Sequence, residues 1–206
     1  MVSSYPVQFD VDFPSRPLNR LSTAFRLIVA IPIVIVLSML SGQMFGNDDQ
    51  EATHTLVIGG AAIFVPLVLM IVFRQKYPRW WFDWNLNLLR FSNRVTAYLA
   101  LLDDRYPSTD EEQSVHLELT YPDARQMNRW LPLVKWLLAI PHYFVLLFLG
   151  LGALAAIVAA WFAIIFAGTY PRSLFDYVVG VLRWGNRVNG YAFTLITDQY
   201  PPFSLS

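Results

Sequence analysis

The sequence predicts an α-helical integral membrane protein with four transmembrane helices from two parallel two-helix repeats, together with interfacial helices and a small cytoplasmic β portion. Composition is the first observation behind this class: 55% of the 206 residues are hydrophobic and 15% are charged, which is too apolar for an ordinary soluble domain. The second observation is an internal repeat, because the motifs of the first half return in the same order. A duplicated unit usually packs against its copy, so we expect a pseudo-dimer within one chain.

Two pairs of segments carry the internal repeat. Residues 17–32 and 126–141 each contain Asn-Arg and end in Ala-Ile-Pro. Residues 77–98 and 170–191 each contain Tyr-Pro-Arg, Phe-Asp and Asn-Arg-Val in that order. Each repeat is expected to run as a strand, two transmembrane helices, an interfacial helix and a second strand. The predicted parts of the chain are repeat one at 1–107, a linker at 108–113 and repeat two at 114–206.

Four segments have the composition of strands. Residues 7–13 and 115–121 alternate apolar and polar side chains, as half-buried strands do. Residues 95–102 and 188–196 begin at the Val of Asn-Arg-Val and include Val, Thr, Tyr and Phe between them, so they are predicted as strands as well. The four strands are expected to form a small sheet, or two hairpins, beneath the membrane.

Four apolar stretches are expected to cross the membrane: 27–41, 55–73, 136–149 and 153–169. A bilayer core needs roughly 20 helical residues, so the first and third helices should begin near Asn19 and Asn128. The second hairpin would turn at Gly150-Leu151-Gly152. After each hairpin, Tyr-Pro-Arg opens an aromatic and charged segment that is too short and polar to span. This segment is predicted as an interfacial helix, or alternatively as a soluble helix that covers the sheet.

The basic residues define the predicted orientation. All 15 Lys and Arg fall on one predicted side, whereas the first hairpin loop, residues 42–54, carries acidic residues and no base. The positive-inside rule then places both termini in the cytoplasm. The expected location is the prokaryotic cytoplasmic (inner) membrane, with a multi-pass topology.

Four motifs of repeat two resemble the DUF4389 family of uncharacterised prokaryotic integral membrane proteins. They are residues 139–143, 170–176, 181–188 and 198–204. The resemblance extends over nearly the whole chain, although Ile33 stands in repeat one where His142 stands in repeat two. It implies a polytopic membrane protein and implies no reaction or catalytic residue.

Two sets of charged residues are candidate sites. The first is a cationic face at the depth of lipid headgroups, expected to contact lipid or another anion; it comprises Arg16, Arg20, Arg125 and Arg129. The second is a structural ion-pair network in each repeat, and its shared arginines could instead bind anionic headgroups; it comprises Asp83, Arg90 and Arg94, and Asp176, Arg183 and Arg187.

His142 is an ionisable residue at predicted membrane depth, which marks a functional candidate. The alternative is a neutral histidine bonded to a carbonyl that Pro141 frees. The chain has no Cys, and the three His are scattered, so no catalytic residue, metal site or cofactor is predicted.

These features predict a non-enzymatic inner-membrane scaffold or accessory subunit that binds lipid or a partner protein. The alternative is a small oligomeric channel or transporter. Expected partners are membrane lipids, together with either a membrane protein or further copies of the chain. Nucleic acid is not expected, because the basic residues border a bilayer rather than form a stripe.

Overall fold

The computed structural model describes residues 5–41, 66–109 and 111–206, and this part of the chain is mostly helical with one small sheet. The predicted acidic loop at 42–54 and most of the second apolar stretch lie outside the described residues. The elements in chain order are β1 (Val7–Val11), α1 (Arg20–Ala24), α2 (Arg26–Leu40), a π-helical turn (Met70–Arg74), α3 (Arg79–Leu99), β2 (Val115–Leu119), a 3-10 turn (Leu131–Leu133), α4 (Lys135–Leu138), α5 (Ile140–Ala167) and α6 (Arg172–Ala192).

The two strands pair with each other in the antiparallel direction. Phe9 in the middle of β1 lies opposite Leu117 in the middle of β2, and these residues hold the same place in the two predicted repeats. The alternating pattern of burial along β1 follows the alternation of its side chains. The strand predictions at 7–13 and 115–121 are therefore confirmed.

The helices stack on this sheet in two layers. β1 packs on α6 and β2 packs on α3, so these two helices form a middle layer. α2 packs on α3 and α5 packs on α6, which makes α2 and α5 an outer layer on the side away from the sheet. Each strand therefore covers the helix of the other predicted repeat. Within the described residues, α5 is the one helix long and apolar enough to cross a membrane.

The predicted hairpin turn of repeat two does not form. Gly150 and Gly152 lie inside α5, which continues for 28 residues. A glycine within a helix costs only about 1 kcal/mol relative to alanine, and no proline interrupts the segment that follows. Gly152 serves packing instead, since a Cβ at this position would lie 2.5 Å from the hydroxyl of Tyr177. Repeat two therefore contributes one long apolar helix rather than two.

The strand predictions at 95–102 and 188–196 are also wrong, because α3 continues to Leu99 and α6 to Ala192. Asn93 and Asn186 do not break the helices, since each side-chain amide donates to the carbonyl four residues earlier. These bonds measure 2.8 Å to Leu89 O and 2.9 Å to Leu182 O. The amide is thus satisfied within the helix, and the segment after it remains helical.

The predicted helix start agrees with the structure at Asn19 in repeat one and not at Asn128 in repeat two. Asn19 caps α1, because its Oδ1 accepts from Leu21 N at 3.0 Å and from Ser22 N at 3.2 Å. Asn128 accepts from Trp130 N at 3.0 Å, but a 3-10 turn follows and regular helix begins at Lys135. The apolar segment of repeat two therefore starts later than predicted.

Candidate functional site

An amide pair joins the two helices of the middle layer. The Nδ2 of Asn93 donates to Oδ1 of Asn186 at 2.9 Å, and the Nδ2 of Asn186 donates back to Oδ1 of Asn93 at 2.8 Å. Asn93 is 7% exposed, so the pair satisfies polar groups that would otherwise be costly to bury. The two residues correspond in the predicted repeats, which places the amide pair at the contact between them.

Arg26, the first residue of α2, carries a guanidinium that is almost completely buried. Its Nη1 donates to Tyr98 O at 2.9 Å and to Asp103 O, and the guanidinium carbon lies 4.4 Å from the centre of the Tyr98 ring. These contacts come from the end of α3 and from the segment that follows it. The buried charge is therefore held by carbonyls and an aromatic face.

Lys135 holds the corresponding position in repeat two and is fully buried. Its Nζ donates to Thr197 O at 2.9 Å and lies 5.3 Å from the centre of the Tyr191 ring. Asp198 Oδ1 lies 2.7 Å from Nζ, so the carboxylate and the buried ammonium form an ion pair. Burial lowers the pKa of Lys135, and the Asp198 carboxylate opposes that shift.

His142 lies inside the protein near the start of α5, in an aromatic cage. Its Nδ1 accepts from the Trp184 indole at 3.0 Å, its ring stacks on Phe203 at 4.1 Å, and Tyr200 lies 4.7 Å away. An indole N–H only donates, so Nδ1 is the acceptor nitrogen of the imidazole. The bond expected to a carbonyl is replaced by a bond to Trp184. Ile33, at the corresponding position in repeat one, packs in an apolar cluster with Phe91.

The predicted cationic face is divided between two places, and each pair of arginines lies mostly outside regular helix. Arg16 precedes α1 and pairs with Asp104 at 2.7 Å. Arg129 donates to Gln75 Oε1 at 2.7 Å, and Arg20 and Arg125 are exposed. The shared helix face does not form, because α1 begins only at Arg20 and the later pair lies before α4.

The predicted ion-pair network is replaced by bonds to backbone. Arg90 Nε donates to Leu117 O at 3.1 Å, and Arg183 Nε donates to Phe9 O at 2.8 Å. Arg183 also pairs with Asp10 at 2.8 Å. These two arginines thus each hold the strand that packs on their helix. Leu117 and Phe9 correspond in the predicted repeats, so the two arginines make corresponding contacts.

The remaining members of the predicted network also face other partners. Arg94 donates to Ser108 O at 2.8 Å and Arg187 donates to Ser204 O at 3.4 Å. Asp176 pairs with Arg172 at 3.0 Å, where both side chains are more than half exposed. Asp83 is exposed and forms no ion pair with any residue of the described ranges. The expected partner, Arg90, is two helical turns away, about 10 Å along α3.

The contacts around the buried cations include residues that sequence reasoning did not select. Tyr98 and Tyr191 occur at corresponding places after Asn-Arg-Val. One residue separates Asp198 from a following Tyr-Pro, as it does the corresponding Asp104 in repeat one. This recurrence was the available signal. A side chain that recurs in both repeats can be the partner of a buried charge, even though the sequence of neither repeat identifies that charge.

Comparison with known proteins finds one family. Residues 130–204 match the family model described as a domain of unknown function, DUF4389. No curated protein and no solved structure matches the chain. The matched region includes Lys135, His142, Trp184 and Asp198, and it confirms the resemblance drawn from the motifs of repeat two. Residues 130–204, in the second half of the chain, are therefore similar to the DUF4389 family, whose function is unknown.

Proposed function

We propose that the protein is a non-enzymatic scaffold or accessory subunit of the prokaryotic inner membrane, whose outer helix layer lies in lipid. The observation that carries this proposal is an apolar stripe along α5 in which every side chain is more than half exposed. The stripe comprises Phe144, Leu147, Phe148, Leu151, Leu154, Val158, Phe162 and Phe166. Exposed apolar patches of this extent mark membrane or protein interaction surfaces.

The second helix of the outer layer adds to this surface. Leu27, Ile28, Ile31 and Met39 of α2 are each more than half exposed as well. Both helices lie on the side away from the sheet, so the apolar surface belongs to one layer of the protein. Acyl chains are the partner that suits a layer with so few polar side chains.

The order of the layers favours one of two arrangements. It favours an outer layer that lies in the membrane along its whole length, rather than four helices that cross the membrane. α5 packs on α6, where Arg172 and Asp176 are exposed and Arg183 binds β1. If α5 crossed the bilayer, it would bring these charged residues to bilayer depth, at a cost of several kcal/mol. An immersed layer leaves the sheet and both termini in the cytoplasm, which keeps the predicted orientation.

The exposed arginines support lipid contact at the edge of this layer. Arg20 begins α1, directly before the outer helix α2, and Arg129 precedes α4 and α5. Each basic residue near a membrane surface contributes about 1 kcal/mol of attraction to anionic lipid. We therefore propose that anionic phospholipids are preferred over zwitterionic ones.

Membrane fractionation tests the proposal. The native protein should stay with the membrane pellet after an alkaline carbonate wash, and the double variant Leu147→Asp, Leu151→Asp should be released. The matched control places two aspartates at Trp80 and Trp84, which are exposed on α3 and therefore outside the outer layer. Release of the native protein, or equal release of the two double variants, would contradict lipid contact through α5.

A further inference from the structure

A groove runs between the two helices of the outer layer. Thr23, Arg26 and Leu27 line one wall, and Leu154, Val158 and Trp161 of α5 line the other. The end of α3 forms the floor, and the cavity volume is about 550 Å³. Small-molecule sites usually measure about 300–1,000 Å³. Leu27 is 77% exposed and Leu154 is 59% exposed, so the groove opens on the apolar outer surface.

One edge of the Arg26 guanidinium is unsatisfied within the groove wall. Nη1 uses its bonds on Tyr98 O and Asp103 O, whereas Nε and Nη2 have no hydrogen-bond partner in the described part of the chain. Thr23 Oγ1 is also without a partner there. Arg26 is 2% exposed and Thr23 is 1% exposed, so neither group is satisfied by bulk water. Burying such groups unpaired is costly.

The unpaired edge has the geometry that a carboxylate needs. The N–H bonds of Nε and Nη2 point side by side in the guanidinium plane, and this fork binds two coplanar oxygens in parallel. An apolar groove with such a guanidinium edge in its wall offers both an apolar surface and a cationic donor pair, which together suit an amphiphilic ligand. The carboxylate would meet Arg26, and an acyl chain would meet the leucine and valine side chains of α5.

Repeat two shows what fills the corresponding place. Asp198 contacts Lys135 there, at 2.7 Å. Asp104 is the corresponding residue in repeat one, but its carboxylate pairs with the exposed Arg16 at 2.7 Å. The neighbouring Asp103 carboxylate is held by Ser114 and by Arg105. No protein carboxylate of the described ranges bonds to the free edge of Arg26.

We propose that this groove binds a long-chain fatty acid, with its carboxylate on Nε and Nη2 of Arg26 and on the Thr23 hydroxyl. The acyl chain lies between α2 and α5, against Leu154, Val158 and Trp161. The inference deepens the proposed function and rests on it, because the groove opens on the surface assigned to lipid. It names a single buried site, which is distinct from the exposed arginines at the edge of the layer.

Equilibrium binding to the purified full chain in non-ionic detergent tests the ligand chemistry. Palmitate should bind with one molecule per chain, and methyl palmitate, which keeps the tail and lacks the charge, should bind at least about tenfold more weakly. Equal binding of the two would overturn the proposal. Dipalmitoyl phosphatidylglycerol should compete weakly; if it displaced palmitate at lower concentration than palmitate itself, the site would belong to phospholipid and the proposal would fail.

Two pairs of variants test the location. Arg26→Gln should lower palmitate affinity about tenfold or more, while Arg172→Gln, at an exposed arginine of α6, should leave it unchanged. Val158→Trp should fill the groove and weaken binding without touching Arg26, which keeps the test valid if the first variant fails to fold. Phe144→Trp, elsewhere on the exposed stripe, is its control. Native affinity in Val158→Trp would overturn the site.

Carbonate washing separates this inference from the proposed function. All four single variants should remain in the membrane pellet, because the outer apolar surface is retained. Release of the native protein combined with tight palmitate binding would reject the membrane role and leave the site. Membrane retention combined with equal binding of palmitate and its methyl ester would reject the site and leave the membrane role.

Discussion

Removing Asp198 as the partner of Lys135 should destabilise the protein strongly, because it leaves a fully buried cation without its counter-charge. Replacing Asp198 by Asn removes the negative charge but keeps an oxygen that can accept from Asn128 N, which bonds to Asp198 Oδ2 at 2.7 Å. Breaking a buried pair costs about 3–5 kcal/mol. We expect the lower end, about 3 kcal/mol, because the Asp198 side chain is 27% exposed.

The corresponding residue in repeat one provides a matched control. Asp104 pairs with Arg16, whose side chain is 63% exposed, and exposed pairs contribute only about 0–1 kcal/mol. A chain of this size shifts its Tm by about 2–4 °C per kcal/mol, so Asp198→Asn should lower Tm by about 6–12 °C and Asp104→Asn by at most about 4 °C. Tryptophan fluorescence during heating in detergent measures both.

A double variant checks the stated cause. Lys135→Met with Asp198→Asn removes both charges, and replacing a buried pair by uncharged side chains is often neutral or stabilising. The double variant should therefore be more stable than Asp198→Asn alone. Equal Tm losses in Asp198→Asn and Asp104→Asn, or a further loss in the double variant, would refute the buried-charge argument.

Three further outcomes follow from packing, polar contacts and titration. Asn93→Ala should lower the free energy of unfolding by about 1–3 kcal/mol in chemical denaturation, because the amide of Asn186 is left without its partner. Gly190→Ala should destabilise the protein, because a Cβ at this position would lie 2.5 Å from a β1 side chain. Gly185→Ala has open space for its Cβ, and its helix propensity should raise the free energy of unfolding by about 0.5–1 kcal/mol. The urea midpoints of the two variants test this difference. Burial raises the pKa of Tyr77 above its unfolded value of about 10. The stability that the neutral phenol contributes is therefore fully present below about pH 10 and is lost as the pH rises further. Above about pH 10, the unfolding midpoint of Tyr77→Phe should fall less steeply with pH than that of the native protein.

The part of the fold that was predictable from sequence depends on local patterns. β1 and β2 follow from the alternation of apolar and polar side chains, because neighbouring residues of a strand lie on opposite faces of the sheet. The ends of α3 and α6 were missed because residues such as Val95 and Thr96 favour strands, yet burial of Val95 against α2 overrides that preference. Propensity over a few residues could not show this packing.

The long helix α5 shows a second limit. Gly150 and Gly152 look like a turn in an apolar sequence, but Gly152 only makes room for the Tyr177 hydroxyl, 25 residues further along the chain. A glycine required by close packing and a glycine required by a turn are identical in sequence. The distinction needs the helix that packs against it.

The candidate site was predictable in its residue types and not in its partners. Lys135 and Arg26 were recognisable as cations near apolar segments, whereas Thr197, Tyr98 and Asp103 approach them from other parts of the chain. The arginines of the middle layer were assigned carboxylate partners that lie too far along the same helix. Arg90 and Arg183 instead donate to strands of the other repeat, at Leu117 O and Phe9 O.

The central claim is that α5 lies within the membrane layer without crossing it, and cysteine labelling tests this most directly. The native chain has no Cys, and Asn128 and Thr169 are exposed residues on either side of α5. A crossing helix of 28 residues, about 42 Å long, would place its ends on opposite sides of the bilayer. In intact spheroplasts, an impermeant thiol reagent should label neither Asn128→Cys nor Thr169→Cys, and both should react after permeabilisation. Gly150→Cys has open space for its side chain, and it should stay unlabelled in both conditions if α5 is immersed in lipid as proposed. Labelling of only one end before permeabilisation, or of position 150 from outside, would contradict the immersed arrangement.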